Sequence, residues 1–285
     1  MSAAWWMVAT AVPMLAAIVL PAWGARHWAT ATRRLVDRLE QGRVMAASAR
    51  HDARELQGLP AVVQRYFRTA LTDGQHIVNA VTLRHTGTFN LSDTAEKWIP
   101  FTSHQRATTH RPGFLWDARM AMLPGIAMRV HDAYVGGEGS LRAALWGILT
   151  MANLRGGGEL ARGELMRWFA EAAWYPTALL PSQGVRWEAV DEHSANATIV
   201  DAGHNVTLLF RFNDAGLIDS MRAEARGRVV GKHVTMAPWE GRWSDYRMHE
   251  GMLLPFDGEV AWMMPDGRRT YWRGSVASLV LEFAA

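Results

Sequence analysis

At 285 residues, with 49% hydrophobic and 20% charged side chains, the chain is long enough to bury a full core and too apolar for wholesale disorder. Its net charge is only +3, and no Lys/Arg run interleaved with aromatics marks a nucleic-acid face, so nucleic acid is not an expected partner. Cysteine is absent, which excludes disulfides, thiolate metal sites, a Cys nucleophile and an N-terminally lipidated cysteine together.

Residues 2–25, SAAWWMVATAVPMLAAIVLPAWGA, contain no charged side chain, and about 20 apolar residues suffice to cross a bilayer core. Trp5, Trp6 and Trp23 stand near the ends, where interfacial aromatics belong, and Pro13 is tolerated in a membrane span. No Lys or Arg precedes the run, as a cleaved signal peptide would require, so residues 1–25 are read as an uncleaved single-pass anchor. Arg26, Arg33, Arg34, Arg38 and Arg43 follow it and, by the positive-inside rule, favour a cytoplasmic globular part. One span alone leaves the side open. From Trp28 to Arg54 the pattern is helical, and residues 26–58 are read as a juxtamembrane helical linker. A second short helix starts at Pro60 and runs through AVVQRYFRTAL, with Val63, Tyr66, Phe67 and Ala70 as its buried stripe.

The period then changes from 3.6 to 2. In HIVNAVTLRHTGTFNL, Val81, Leu83, His85, Gly87 and Phe89 share one strand face. Further strands follow from Trp98, from Phe114 (with Trp116, Ala118 and Met120 on its side), from Ile126, and through GSLRAALWGIL as one segment. Hairpin-linked strands at this spacing argue for an antiparallel meander. Gly156-Gly157-Gly158 lacks the Gly-Lys-Ser/Thr of a phosphate loop and is read as a hinge with no clear strand before it. Next comes ELARGELMRWFAEAAWYPTALLP, the only strongly amphipathic helix of the globular part, placed at 159–173 with Leu160, Leu165, Trp168, Phe169 and Ala172 inward. Seven more strand-like segments run from VRWEAVDE to TYWRGSVASLVLEF.

Together with LPAVVQRYFRTAL, RPGFLWDARM, HDAYVGGEGSL and PWEGRWSDYRMHEGMLLPFDGEVAW, the helix stretch resembles a bacterial family classed as a domain of unknown function. The resemblance runs in order from Leu59 to the C-terminus. It implies an N-terminal membrane span, hence a bacterial inner-membrane location, and no assigned activity. RPGFLWD before a glycine-marked strand is also similar to the lipoprotein carriers of the Lol system. That similarity implies a curved antiparallel sheet that wraps around helices and holds acyl chains.

The expected architecture is therefore mainly β (α+β): a large curved antiparallel sheet or half-barrel, residues 59–285, wrapped around a central helix and preceded by a transmembrane helix. Glu164, Arg167 and Glu171 fall at i, i+3 and i+7 on one side of that helix. On bare surface they make a salt-bridge ladder; under the sheet they must be paired or line a cavity, because an isolated buried charge is very costly. Of the fourteen tryptophans, Trp98, Trp116, Trp146, Trp168, Trp174 and Trp187 either fill a solid core or floor an apolar cavity. His85, His104, His110 and His131 sit on different strands with no tight ligand pair, so no metal and no cofactor are expected. Asp117, Asp132 and Glu138 are candidate paired carboxylates only if they approach one another. Ser182 and Ser244 lie in no nucleophile elbow. The favoured reading is a membrane-anchored module binding a lipid-like ligand through Glu164, Arg167, Glu171, Trp116, Trp168, Trp174, Tyr175 and His85. An enzyme using the Glu164/Glu171 carboxylates, with no catalytic residue assigned beyond them, and an envelope interaction protein are the alternatives.

Overall fold

Alternating apolar residues and short Pro/Gly turns produce thirteen antiparallel strands in one sheet, seen in a computed structural model that describes residues 3–92, 95–230 and 233–284. The N-terminal meander is β1 (Val78–Asn90), β2 (Trp98–Thr108), β3 (Gly113–Leu123), β4 (Ile126–Val135), β5 (Glu138–Leu145) and β6 (Leu149–Gly156). The C-terminal one is β7 (Arg186–Asp191), β8 (Ser194–Asp201), β9 (His204–Phe212), β10 (Ile218–Val230), β11 (His233–His249), β12 (Met252–Met264) and β13 (Gly267–Phe283). The order across the sheet is β6-β5-β4-β3-β2-β1-β13-β12-β11-β10-β9-β8-β7. The two meanders thus join at the centre through β1 and β13, where Val78 faces Phe283 and Phe89 faces Trp272. At Gly87 a side chain is impossible: a methyl there would lie 2.0 Å from the Arg273 carbonyl oxygen on β13.

The helix α3 (Gly158–Ala170) crosses between the meanders and touches β3–β6 on one side and β9 and β10 on the other. One helix can reach strands that far apart in the sheet only if the sheet curls around it. The curl is nearly closed by the β4–β5 and β8–β9 turns: Tyr134 donates its hydroxyl to Asp201 at 2.6 Å, and His204 Nε2 lies 3.2 Å from the Gly137 carbonyl. The sequence places the helix at 159–173, whereas α-geometry stops at Ala170 and 3-10 turns carry the chain through Trp174 and Leu179. Pro176, which has no N–H to donate, prevents the helix from continuing. Nor is α3 amphipathic in the ordinary sense. Ala161, Glu164, Leu165, Trp168 and Phe169 are all buried, because sheet surrounds the helix.

The shorter α2 (Ala61–Ala70) buries the stripe Val63, Tyr66, Phe67 and Ala70 and stacks on Trp187 and Phe212 at one end of the curled sheet. On the opposite, convex face lies α1 (Ala3–Gln41). Strand alternation makes this three-layer arrangement: on β3, Phe114, Trp116, Ala118 and Met120 point inward, while Leu115 and Asp117 meet α1. Leu39 packs on Leu115, Ala133 and Val135. Trp28, fully buried, stacks on His131 with ring centroids 3.9 Å apart and donates Nε1–H to Asp117 at 2.9 Å; Thr32 donates to the other Asp117 oxygen. Burial alone would raise the Asp117 carboxyl, but hydrogen bonds from His131, Trp28 and Thr32 outweigh it and hold the group below its ordinary value. At its C-terminal end α1 is tied to the sheet by ion pairs of Arg106 with Glu40 (2.7 Å) and of Arg43 with Glu282 (2.8 Å).

Helix expected through Arg54 ends instead at Gln41, after which the chain is irregular except for a 3-10 turn at Ala53–Leu56. The segment after Gly42 has no repeating apolar stripe to bury, and only Ala46 and Ala49 pack against the core. A second difference concerns GSLRAALWGIL, which is a hairpin and not one strand. Trp146 takes φ 51° and Gly147 φ 76°, turning β5 back into β6, and β6 is the strand that feeds the glycine run. Most of the expected membrane span falls on side chains outside the described set. Among the described residues no helix is long and apolar enough to cross a membrane.

Candidate functional site

Between α3 and the concave sheet lies a cavity of about 800 Å³, within the range of small-molecule sites. Seven of the fourteen tryptophans line it: Trp98, Trp116, Trp174, Trp239, Trp243, Trp262 and Trp272. Met120, Met128, Leu141, Ala143 and Val260 complete the apolar wall. The mouth is framed by the β1–β2 hairpin (Leu91, Trp98), the end of β10 (Val229) and the start of β13 (Arg268, Arg269).

The charged side of α3 faces this cavity, not water. Arg167 donates from Nε to Glu171 at 2.8 Å and from a terminal nitrogen to Asp132 on β4, and Gln105 on β2 donates to the other Glu171 oxygen at 2.6 Å. Its guanidinium also lies 4.9 Å from the Phe114 ring centre and 5.0 Å from that of Trp116. One turn earlier, Glu164 is 6% exposed and sits 3.8 Å from Arg226 of β10, whose guanidinium covers Trp239 at 4.3 Å. Burial first, and the neighbouring Asp132 carboxylate second, push the Glu164 carboxyl well above the ordinary glutamate value, against the pull of Arg226 and Arg167. The raised value favours the protonated form of Glu164, while Arg167 is ion-paired to both Asp132 and Glu171.

Several buried polar atoms of the lining residues have no protein partner within hydrogen-bonding reach: the indole N–H groups of Trp116, Trp174 and Trp243, and one Arg268 nitrogen; the Glu164 and Asp132 carboxyl groups hydrogen-bond to each other. Buried polar groups are normally hydrogen-bonded, so a convergent set of unpartnered ones inside an apolar cavity is the pattern of a binding site. All four are donors.

Of the residues singled out in the sequence, Glu164, Arg167, Glu171, Trp116 and Trp174 line the cavity. Trp168, Tyr175 and His85 do not. Trp168 donates to the Thr108 carbonyl at 2.9 Å, and Tyr175 donates to the Trp168 carbonyl at 2.8 Å, so both brace α3 from behind. His85 lies behind Trp174, with ring centroids 4.8 Å apart, and its Nδ1 is 3.2 Å from the Ser103 hydroxyl. Burial, with a smaller contribution from the Arg167 charge, pushes the His85 imidazole down to about 3, so it stays neutral. Trp146 and Trp187 serve the surface turn and the α2 core respectively. The remaining histidines are dispersed, and among the described residues no group of His, Asp and Glu could hold a metal ion. Asp117 and Asp132 point to opposite faces of the sheet, which removes them as a carboxylate pair.

A family model described as a family of unknown function (DUF6920) matches residues 57–280, a range that contains the whole sheet up to β13, α2, α3 and every lining residue named above. The chain belongs to that family. No curated protein matches the chain. Among solved structures, the crystal structure of a LolA superfamily protein from Nitrosomonas europaea is similar at 10% identity and a TM-score of 0.40, covering 78% of this chain and 92% of that chain. The DUF6920 match does not extend to α1, although Trp28 and Thr32 of α1 hold the outer face of the strands that carry Asp132 and Trp116.

Arg226 escapes a reading by alternation. On β10, Met221 and Ala223 face inward, and strict alternation would turn Ala225 inward next. A bulge between Ala223 and Arg226 shifts the parity, so Arg226 and then Arg228 take the inner face. The only available signal is the unusual spacing of arginines in RAEARGR.

Proposed function

We propose that the protein is a membrane-anchored binder of a hydrophobic, lipid-like molecule, held in the cavity between α3 and the concave sheet. One observation carries the reading. The cavity has a tryptophan-rich apolar wall and, against α3, an ion-paired cluster of Arg167, Asp132 and Glu171 beside the unpartnered indole N–H groups of Trp116 and Trp174. An apolar chain fits the wall, and an acceptor-rich end such as a carboxyl, ester or phosphate fits the indole N–H donors of Trp116 and Trp174. The anchor in this reading is the uncharged stretch 2–25, and the arginines that follow it favour a cytoplasmic globular part.

The test is a titration of the full chain in detergent with a fatty acid and with a phospholipid, read by intrinsic tryptophan fluorescence. Seven tryptophans in the wall make a saturable change in emission the expected result. If no amphiphile gives one, the reading falls. A second reading, an acid–base enzyme, is favoured by a single feature: a Glu164 carboxyl held well above its ordinary value by burial and by Asp132 beside it. It requires that Glu164→Gln abolish a turnover while leaving ligand binding intact.

A further inference from the structure

The mouth of the cavity and the exit of α1 lie on the same rim. From its C-terminal end, where Leu39 meets Gly113 at the β2–β3 turn, α1 runs up the outer face past Trp28 to Gly24. Gly24 is pressed onto the β5–β6 turn: a methyl there would lie 2.2 Å from the Trp146 carbonyl oxygen. Trp146 in turn donates its indole N–H to the Gly125 carbonyl of the β3–β4 turn at 2.9 Å. These two hairpins share their rim with the β1–β2 and β12–β13 hairpins, because every neighbouring strand pair from β6 to β12 is antiparallel. Beyond Gly24, the remaining helix toward Ala3 extends about 30 Å past the rim at 1.5 Å per residue.

This rim is apolar where a protein facing water would be charged. Leu123 is 65% exposed, Leu149 58% and Met151 59%, and on α1 Leu20 and Trp23 are 51% and 54% exposed. The stretches 2–36, 118–131 and 139–154 contain no Asp or Glu; Arg119 and Arg129 flank the β3–β4 tip and Arg142 stands on β5, whereas Arg155, at the far end of β6, is paired with Glu138 at 2.6 Å. Apolar tips with Arg119, Arg129 and Arg142 behind them and no acid in the same stretches match an anionic lipid interface in both polarity and charge. The patch is continuous with the mouth, since Met120, Met128 and Leu154 belong to the cavity lining.

We infer that the β3–β4 and β5–β6 hairpin tips lie in the headgroup region of an anionic bilayer, so that the cavity opens onto lipid and its ligand enters from the membrane. The inference rests on the lipid-binding reading and adds the route and the docking surface. Because the chain has no cysteine, Leu123→Cys, Leu149→Cys and, on the opposite rim beside α2, Ala215→Cys each give a single labelling site. The full chain carrying a fluorescent label at one of these sites is reconstituted into vesicles containing phosphatidylglycerol and a doxyl-labelled lipid. Loss of label emission at Leu123 and Leu149, with none at Ala215, is the expected result. Equal emission at all three overturns the inference and leaves the patch as a surface for a protein partner. In a second arm, Leu123→Asp combined with Leu149→Asp slows uptake of a fluorescent fatty acid from vesicles and leaves its binding in detergent unchanged. Unchanged uptake from vesicles also overturns it. Failure of the unmodified chain to bind the fatty acid in detergent sinks the ligand reading itself, whatever the label depths.

Discussion

Arg167 is held by Asp132 and Glu171 and lies against two aromatic rings, so removing it strands two carboxylates in a medium of low dielectric. Loss of one partner from a buried ion pair costs about 3–5 kcal/mol, and Arg167→Leu is expected to destabilise the domain by that amount in a urea melt. Glu164 makes stability depend on pH. Its folded value lies above its unfolded one, so the folded state binds the proton more tightly, and stability contributed by Glu164 falls as pH rises from the ordinary 4.5 towards the raised value. Glu164→Gln removes that dependence: between about pH 5 and pH 8 its melting temperature should decline less than that of the natural chain. The spacing of Glu164, Arg167 and Glu171 was legible in the sequence, because i, i+3 and i+7 on a helix fixes a shared side. Which way that side points was not, since it depends on how far a sheet of thirteen strands curls. Asp132 stands out in the sequence only as a candidate paired carboxylate with Asp117 and Glu138. Its partnership with Arg167 is a contact across elements that no local pattern encodes.

The elements most fully written in the sequence are those with ordinary punctuation. Pro124-Gly125 and Asp266-Gly267 mark hairpins as their dipeptides predict, and the seven C-terminal strands match the expected segments except that β11 begins at His233, ahead of the expected Trp239. The β5–β6 turn hides because a tryptophan, a poor candidate for φ above zero, occupies its first turning position. The docking of α1 is equally silent: Trp28 looks like another helix aromatic until Asp117 and His131 are seen beneath it. Trp28→Ala should cost about 3–5 kcal/mol for a fully buried aromatic and release α1. Amide hydrogen exchange should then rise across residues 24–40 while β1 and β13 stay protected. In the ligand site, Ala143 projects from β5 into the cavity. Ala143→Phe should lower fatty-acid affinity about tenfold or more while costing about 1 kcal/mol or less of stability, since the added ring enters open space.

At the scale of the molecule, the cavity exists because the two meanders are held in one curl. The Tyr134–Asp201 hydrogen bond bridges their far ends, and a bond to a charged acceptor contributes about 1.5–3 kcal/mol. Tyr134→Phe should destabilise by that order and loosen the cavity, seen as faster ligand release with the number of binding sites unchanged. The opposite junction, β1 against β13, has a consequence for biosynthesis. Strands β1 to β6 leave the ribosome first and can pair with one another, yet β1 keeps a bare edge until β13 has been made, because its partner is the last strand of the sheet. A nascent chain at that stage is a half-sheet with its tryptophans uncovered, beside a bilayer if its N-terminal helix has already inserted. Folding is then a race between the arrival of β13 and adventitious pairing along β1. A chain stopped before Gly267 should therefore be lost to aggregation or proteolysis rather than accumulate as a smaller domain.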